Sequence, residues 1–209
     1  MLTAIHARPA LRRNRIAAAS AGIVLRVALI AAATLVGAAA TGAGGAVARD
    51  RGPEREQPPA IVILHAIGGP ECRDGAPHFQ HVEGDARVWA EFFRRDPVLG
   101  IHYVIGRSGD LVSVISESQV ANHARGHNAR SIGIELVNDG DGVDPFPEPQ
   151  VRALIDLLRD IRRRNALGAD AIVTHAEIDR GEPLPCGIAR KVDPGPALDL
   201  MRIILDSTP

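Results

Sequence analysis

The sequence predicts an α/β domain, a mixed central β-sheet of about five strands flanked by helices. Three observations point there: short apolar runs of strand length, amphipathic stripes at helical spacing between and after them, and Gly- or Asp-containing turns at their ends. Residues 60–64, AIVIL, form an unbroken apolar run of the kind that a strand buried on both faces shows, and the run ends at His65. Residues 85–94, centred on Trp89, predict a helix. Residues 101–105 and 111–115 are two more apolar runs, and the GRSGD between them predicts a hairpin. Residues 131–137, SIGIELV, and 171–174, AIVT, complete the strands. Between those two, Val151, Leu154, Ile155, Leu158 and Ile161 recur at helical spacing, with charged residues on the opposite side. A last helix is expected after Gly195, with Pro194 near its start and Leu198, Met201 and Leu205 facing inward.

The N-terminal stretch has a different character. Residues 1–48 carry Arg8, Arg12, Arg13, Arg15 and Arg26 and no acid, followed by an uncharged run that ends in Ala46-Val47-Ala48. A basic start, an apolar middle and a small-residue site are the layout of a signal peptide, and a retained membrane anchor is the alternative. Cleavage after Ala48 would remove 48 of the 209 residues and leave 161, enough for one domain. Residues 49–59, which are charged and proline-containing, read as a disordered leader, so the domain occupies 60–209. The protein is therefore expected to be exported, to the periplasm, the cell envelope or beyond, and to touch a membrane only through an uncleaved N-terminus. A monomer is expected.

Composition excludes some functions. Removing the five arginines of residues 1–48 leaves 19 basic against 25 acidic residues, a net of −6 that repels phosphate backbones. Aromatic residues make up only 3% of the chain, too few for a base-stacking platform, so no nucleic acid is expected as partner. Two cysteines, Cys72 and Cys186, suggest a disulfide in an exported protein, and two free buried thiols are the alternative.

The chemistry-bearing residues sit where strands end. His65 closes the first buried strand and His175 the last one. In the stretch ARKVDPG, Lys191 and Asp193 lie two apart, so in an extended chain they face the same space. Two imidazoles and a carboxylate are the donor set of a catalytic zinc that keeps its fourth position open for water. Glu135 stands between Ile134 and Leu136, which should point to the other face of their strand. An acid on a buried strand is uncommon unless it is paired or used, and it suits the base that takes a proton from the activated water. Lys191 would hold the oxyanion that develops when water attacks a carbonyl.

The strand ending in His65, the HYVIGRSGDL hairpin, the segment from Asn122-His123-Ala124 to Asn128, SIGIELVN, THAEID and KVDPGPAL occur in this order. In this the chain resembles the zinc-dependent N-acetylmuramoyl-L-alanine amidases, the family of phage amidases and peptidoglycan recognition proteins, from about Ile61 to Leu205. The resemblance implies zinc on His65, His175 and Asp193, Glu135 as general base and Lys191 as the carbonyl-side cation. It implies peptidoglycan or muropeptides as substrate, cut between N-acetylmuramic acid and L-alanine. It also places His123 and Asn128 beside the substrate groove.

The chain departs from relatives in three ways. Where some carry a catalytic tyrosine it has Ile101, and where many use a cysteine ligand it has Asp193. The segment from His175 to Asp193, which holds DRGEPLPCGIAR, is longer than in many relatives, and Cys186 within it fits a disulfide partner of Cys72 better than a metal ligand. Two rival functions follow. A peptidoglycan-binding module without catalysis would have lost metal ligands, all of which are present here, and an ordinary zinc peptidase would carry an HExxH helix, which is absent.

Overall fold

In the computed structural model, which describes residues 52–179 and 181–209, the first apolar run becomes strand β1 (Ile61–Ala66), buried along its whole length. The expected signal peptide at 1–48 lies outside the described residues. The chain continues through β2 (Pro70–Arg73), β3 (Ala76–Phe79), α1 (Ala86–Arg95), β4 (Tyr103–Ile105), β5 (Leu111–Ser113), β6 (Ser131–Leu136), α2 (Glu148–Asn165), β7 (Ile172–Thr174), the short α3 (His175–Ile178) and α4 (Leu200–Asp206). Five strands form the main sheet in the order β5-β4-β6-β1-β7. All neighbours are parallel except β4 and β5, the predicted hairpin, so the sheet is mixed as expected.

Strand alternation divides the core into layers. Val62 and Leu64 of β1 and Ile132, Ile134 and Leu136 of β6 pack on one face against Leu154, Leu158 and Ile161 of α2 and Ile203 of α4. The residues between them, His65 of β1 and Glu135 of β6, belong to the opposite face. On that side Ala86, Ala90 and Phe93 of α1 pack with Ile101, Val104 and Val137. Both central strands are buried on both faces, which is why β1 opens as a continuous apolar run and β6 is mostly apolar. Helix α1 starts where predicted, because the Asp85 side chain accepts from the backbone N–H groups of Arg87 and Val88. Among the described residues no helix is long and apolar enough to cross a membrane.

Three expectations change. The last helix begins at Leu200, not just after Gly195. Asp199 caps it by accepting from Arg202 N, and Gly195, at φ 80°, turns the chain beforehand. The later start shifts the helix phase, so Ile203 is buried while Met201 and Leu205 are 66% and 63% exposed. The leader is also docked from Gly52 onward. Glu54 bridges to Gln119, and the Arg55 guanidinium donates to the carbonyls of Glu117, Ala129 and Ser131. A guanidinium offers five donors, and the carbonyls left free where this loop meets β6 are what it satisfies. The third change is the β2–β3 hairpin, which the apolar pattern does not reveal. Its strands, PECR and APHF, are mostly polar, and its turn is Asp74-Gly75 with both residues at positive φ (52° and 79°).

Candidate active site

The opposite-face placement of His65 and Glu135 brings them side by side, because β1 and β6 pair in parallel with His65 registered against Glu135. Strand β7, on the other side of β1, delivers His175 as the first residue of α3. That helix is started by a capping box, in which the Thr174 hydroxyl accepts from Glu177 N and the Glu177 carboxylate accepts from Thr174 N. Glu177 therefore fixes where α3 begins. Asp193 arrives from the long loop, its carbonyl accepting from Ala176 N at 3.1 Å, so the last two metal-ligand candidates are tied through the backbone.

His65, His175 and Asp193 converge as expected. Their donor atoms lie within 4.8 Å of one another, and all three residues are buried. His65 Nδ1 is 2.9 Å from His175 Nδ1, His175 Nδ1 is 3.1 Å from Asp193 Oδ2, and His65 Nδ1 is 3.6 Å from the same oxygen. Two atoms each ~2.0–2.1 Å from a shared tetrahedral centre lie roughly 3.3 Å apart. The three measured separations straddle that value, so the donor set fits a small, tetrahedral cation. Electrostatics agree. Burial lowers the pKa of His65 and so keeps its imidazole neutral. Burial by itself would raise the Asp193 carboxyl, but its hydrogen bond with His175 outweighs this and holds it well below the usual carboxylate range.

Glu135 behaves differently. Burial, reinforced by the nearby Asp193 charge and opposed by Lys191, pushes its carboxyl up to about 8. Its Oε2 is buried with no hydrogen-bond partner among the described residues. A carboxylate left in that state is costly to the fold, and such positions concentrate at functional sites. Lys191 faces the same cleft, a space of about 440 Å³ that also exposes His65, His123, Glu135, His175 and Asp193. Trp89, Phe92 and Phe93 of α1 line it as well, together with Gly68-Gly69 just beyond β1.

The two groove candidates separate. His123 lines the cleft, but its Nδ1 lies 3.0 Å from His65 Nε2, so it backs a metal-ligand candidate. Asn128 is not at the cleft. Its Oδ1 accepts from the N–H groups of His123 and Ala124, and its amide donates to Asn122, so it braces the loop that presents His123. The cysteines are joined: Cys72 of β2 and Cys186 of the long loop form a disulfide, and among the described residues no cysteine is free. Cys186 is thereby excluded as a ligand. Sequence reasoning passed over the aromatic residues of α1 and Gly68-Gly69. The second had a legible signal, since paired glycines just beyond a buried strand allow close backbone approach.

Comparison with known proteins agrees with this geometry. A family described as N-acetylmuramoyl-L-alanine amidase matches residues 55–196. No curated protein matches the chain. Among solved structures the chain is similar to the N-acetylmuramyl-L-alanine amidase AmiD from E. coli, at 23% identity and a TM-score of 0.54, covering 78% of this chain and 61% of that one. It is similar to AmpD, at 19% identity and a TM-score of 0.55, over 78% of this chain and 96% of that one. The Ph2119 endolysin from a Thermus scotoductus bacteriophage matches at 22% identity and a TM-score of 0.51, over 75% and 90%. These likenesses concern the fold, and the first spans about three-fifths of the AmiD chain.

Proposed function

The chain belongs to the N-acetylmuramoyl-L-alanine amidase family, and from that premise we propose that it is an exported, monomeric zinc amidase. Its reaction is hydrolysis of the amide between the lactyl group of N-acetylmuramic acid and L-alanine of the stem peptide. One observation carries the reading: a buried carboxyl, Glu135, whose Oε2 has no hydrogen-bond partner among the described residues, in the same cleft as a triangle of two imidazoles and a carboxylate. AmiD, of the same fold, was solved with an anhydromuropeptide substrate, which supports this substrate class.

His65, His175 and Asp193 would hold the zinc, and zinc bound there would acidify water and polarise the scissile carbonyl. Glu135 does the proton work. Its raised pKa makes it a base strong enough to take the proton of the attacking water and an acid able to pass it to the leaving nitrogen. Lys191 brings a positive charge to the cleft where the carbonyl oxygen becomes negative. Trp89 and Phe92 offer apolar surface against which a sugar ring or an alanyl methyl can rest. The basic and apolar N-terminal segment would direct export.

Mass spectrometry of a cell-wall preparation digested with zinc-loaded protein tests the reading. Stem peptides beginning with free L-alanine, together with peptide-free glycan, are expected. Wall binding without any released peptide would favour the recognition module instead, and cleavage of casein would point to a general peptidase.

A further inference from the structure

Behind the metal-ligand triangle runs a chain of side-chain hydrogen bonds whose direction is set at its far end. The Ser131 hydroxyl lies 2.8 Å from the backbone carbonyl of His127. A carbonyl can only accept, so the single hydroxyl proton points there. Ser131 Oγ, 3.1 Å from His123 Nε2, must then accept, and His123 carries its proton on Nε2. That leaves His123 Nδ1 as an acceptor, 3.0 Å from His65 Nε2. His65 in turn carries its proton on Nε2, and its Nδ1 lone pair is bare where it faces His175 and Asp193.

We infer that His123 is a positioning residue that fixes the tautomer and orientation of His65 and so presets its Nδ1 for the metal. Outer-shell acceptors of this kind orient ligating imidazoles and strengthen their hold on the ion. A second observation supports the assignment independently. Gly133 lies in the middle of β6, where glycine weakens a strand. A Cβ added there would sit 2.5 Å from His123 Nδ1 and 2.6 Å from Ile101 Cδ1. The missing side chain makes the room that the His123 ring occupies against the sheet. The inference rests on the metal reading of the site, and it moves His123 from substrate contact to support of a ligand.

Zinc affinity of the purified protein, measured by competition with a chromophoric chelator, tests it without recourse to turnover. His123→Leu should raise the zinc Kd by about 10- to 100-fold. His123→Asn, whose side-chain oxygen can take the place of Nδ1, should remain within about threefold of wild type. Ser131→Ala, which frees the direction of the chain, should weaken binding by more than about threefold. Melting of the zinc-free proteins checks that the fold is retained. Equal affinity of His123→Leu and wild type overturns the inference, as does a His123→Asn as weak as His123→Leu, which would mark mere packing. If His123→Leu does not fold, the other two decide, and a Ser131→Ala that binds as well as His123→Asn overturns it. A wild-type protein that takes up no zinc overturns the metal reading itself, a separate outcome.

Discussion

The two halves of the site are held in place by different means. His65 and Glu135 stand on adjacent parallel strands at the centre of the sheet, where backbone hydrogen bonds fix their separation and the α2 layer packs beneath them. Lys191 and Asp193 stand on a loop without regular structure. That loop is held by the Cys72–Cys186 bridge, by an ion pair between Arg190 and Asp179, and by the bond from Ala176 N to Asp193 O. The sheet half is positioned by cooperative structure, and the loop half by a few discrete tethers. Changes in the first should therefore alter chemistry at constant shape, and changes in the second should alter shape as well.

The largest effect is expected on the sheet side. Glu135→Gln should lower turnover by about 10²–10⁴-fold while zinc content, measured by elemental analysis, stays at the wild-type level. The same substitution should reveal what the carboxylate costs the fold. The folded pKa of Glu135 is raised, to about 8, so its contribution is fully present below the unfolded value and is lost as pH rises towards 8. Denaturant melts of the zinc-free proteins should show Glu135→Gln gaining on wild type across that window, by on the order of 5 kcal/mol, and levelling off above it. A constant difference would mean that Glu135 finds a partner in solution.

On the loop side, Lys191→Met should cost about 10²–10³-fold in kcat, with zinc affinity unchanged, as removal of an oxyanion donor does. A fall in zinc affinity would show that the lysine organises Asp193. The smallest effect should come from the double variant Cys72→Ala with Cys186→Ala, which should lose about 2–4 kcal/mol of stability in denaturant melts. Sheet and loop would be shown to be equally autonomous if that variant kept full stability.

The sheet half was also the more legible. A continuous apolar run identified β1, and period-two alternation in SIGIELV placed Glu135 on the face away from Ile134 and Leu136, as the packing bears out. The metal-ligand candidates came partly from strand ends and partly from a resemblance in the order of motifs, since no local pattern tells where Asp193 will fold. What escaped the reading depended on single contacts. Arg55 sits in a stretch with the composition of a disordered leader, and only the carbonyls it meets reveal its docking. The β2–β3 hairpin announced itself by Asp74-Gly75 alone, its polar strands carrying no periodic signal. The phase of α4 turned on Asp199 as the cap, which a stripe of Leu198, Met201 and Leu205 concealed. Asn128 could be recognised as part of a segment, but not as the residue that faces inward to hold it.

Arg55 bears on where this protein can be shortened. Ile61, the start of the first strand, is the natural place to trim. A chain cut there would nevertheless strip the donor from three carbonyls around the mouth of β6, one of them on Ser131, whose hydroxyl would order the protons behind the proposed metal site. The useful minimal fragment therefore begins ahead of the arginine, and a shorter one would be expected to hold the proposed zinc loosely while still looking folded.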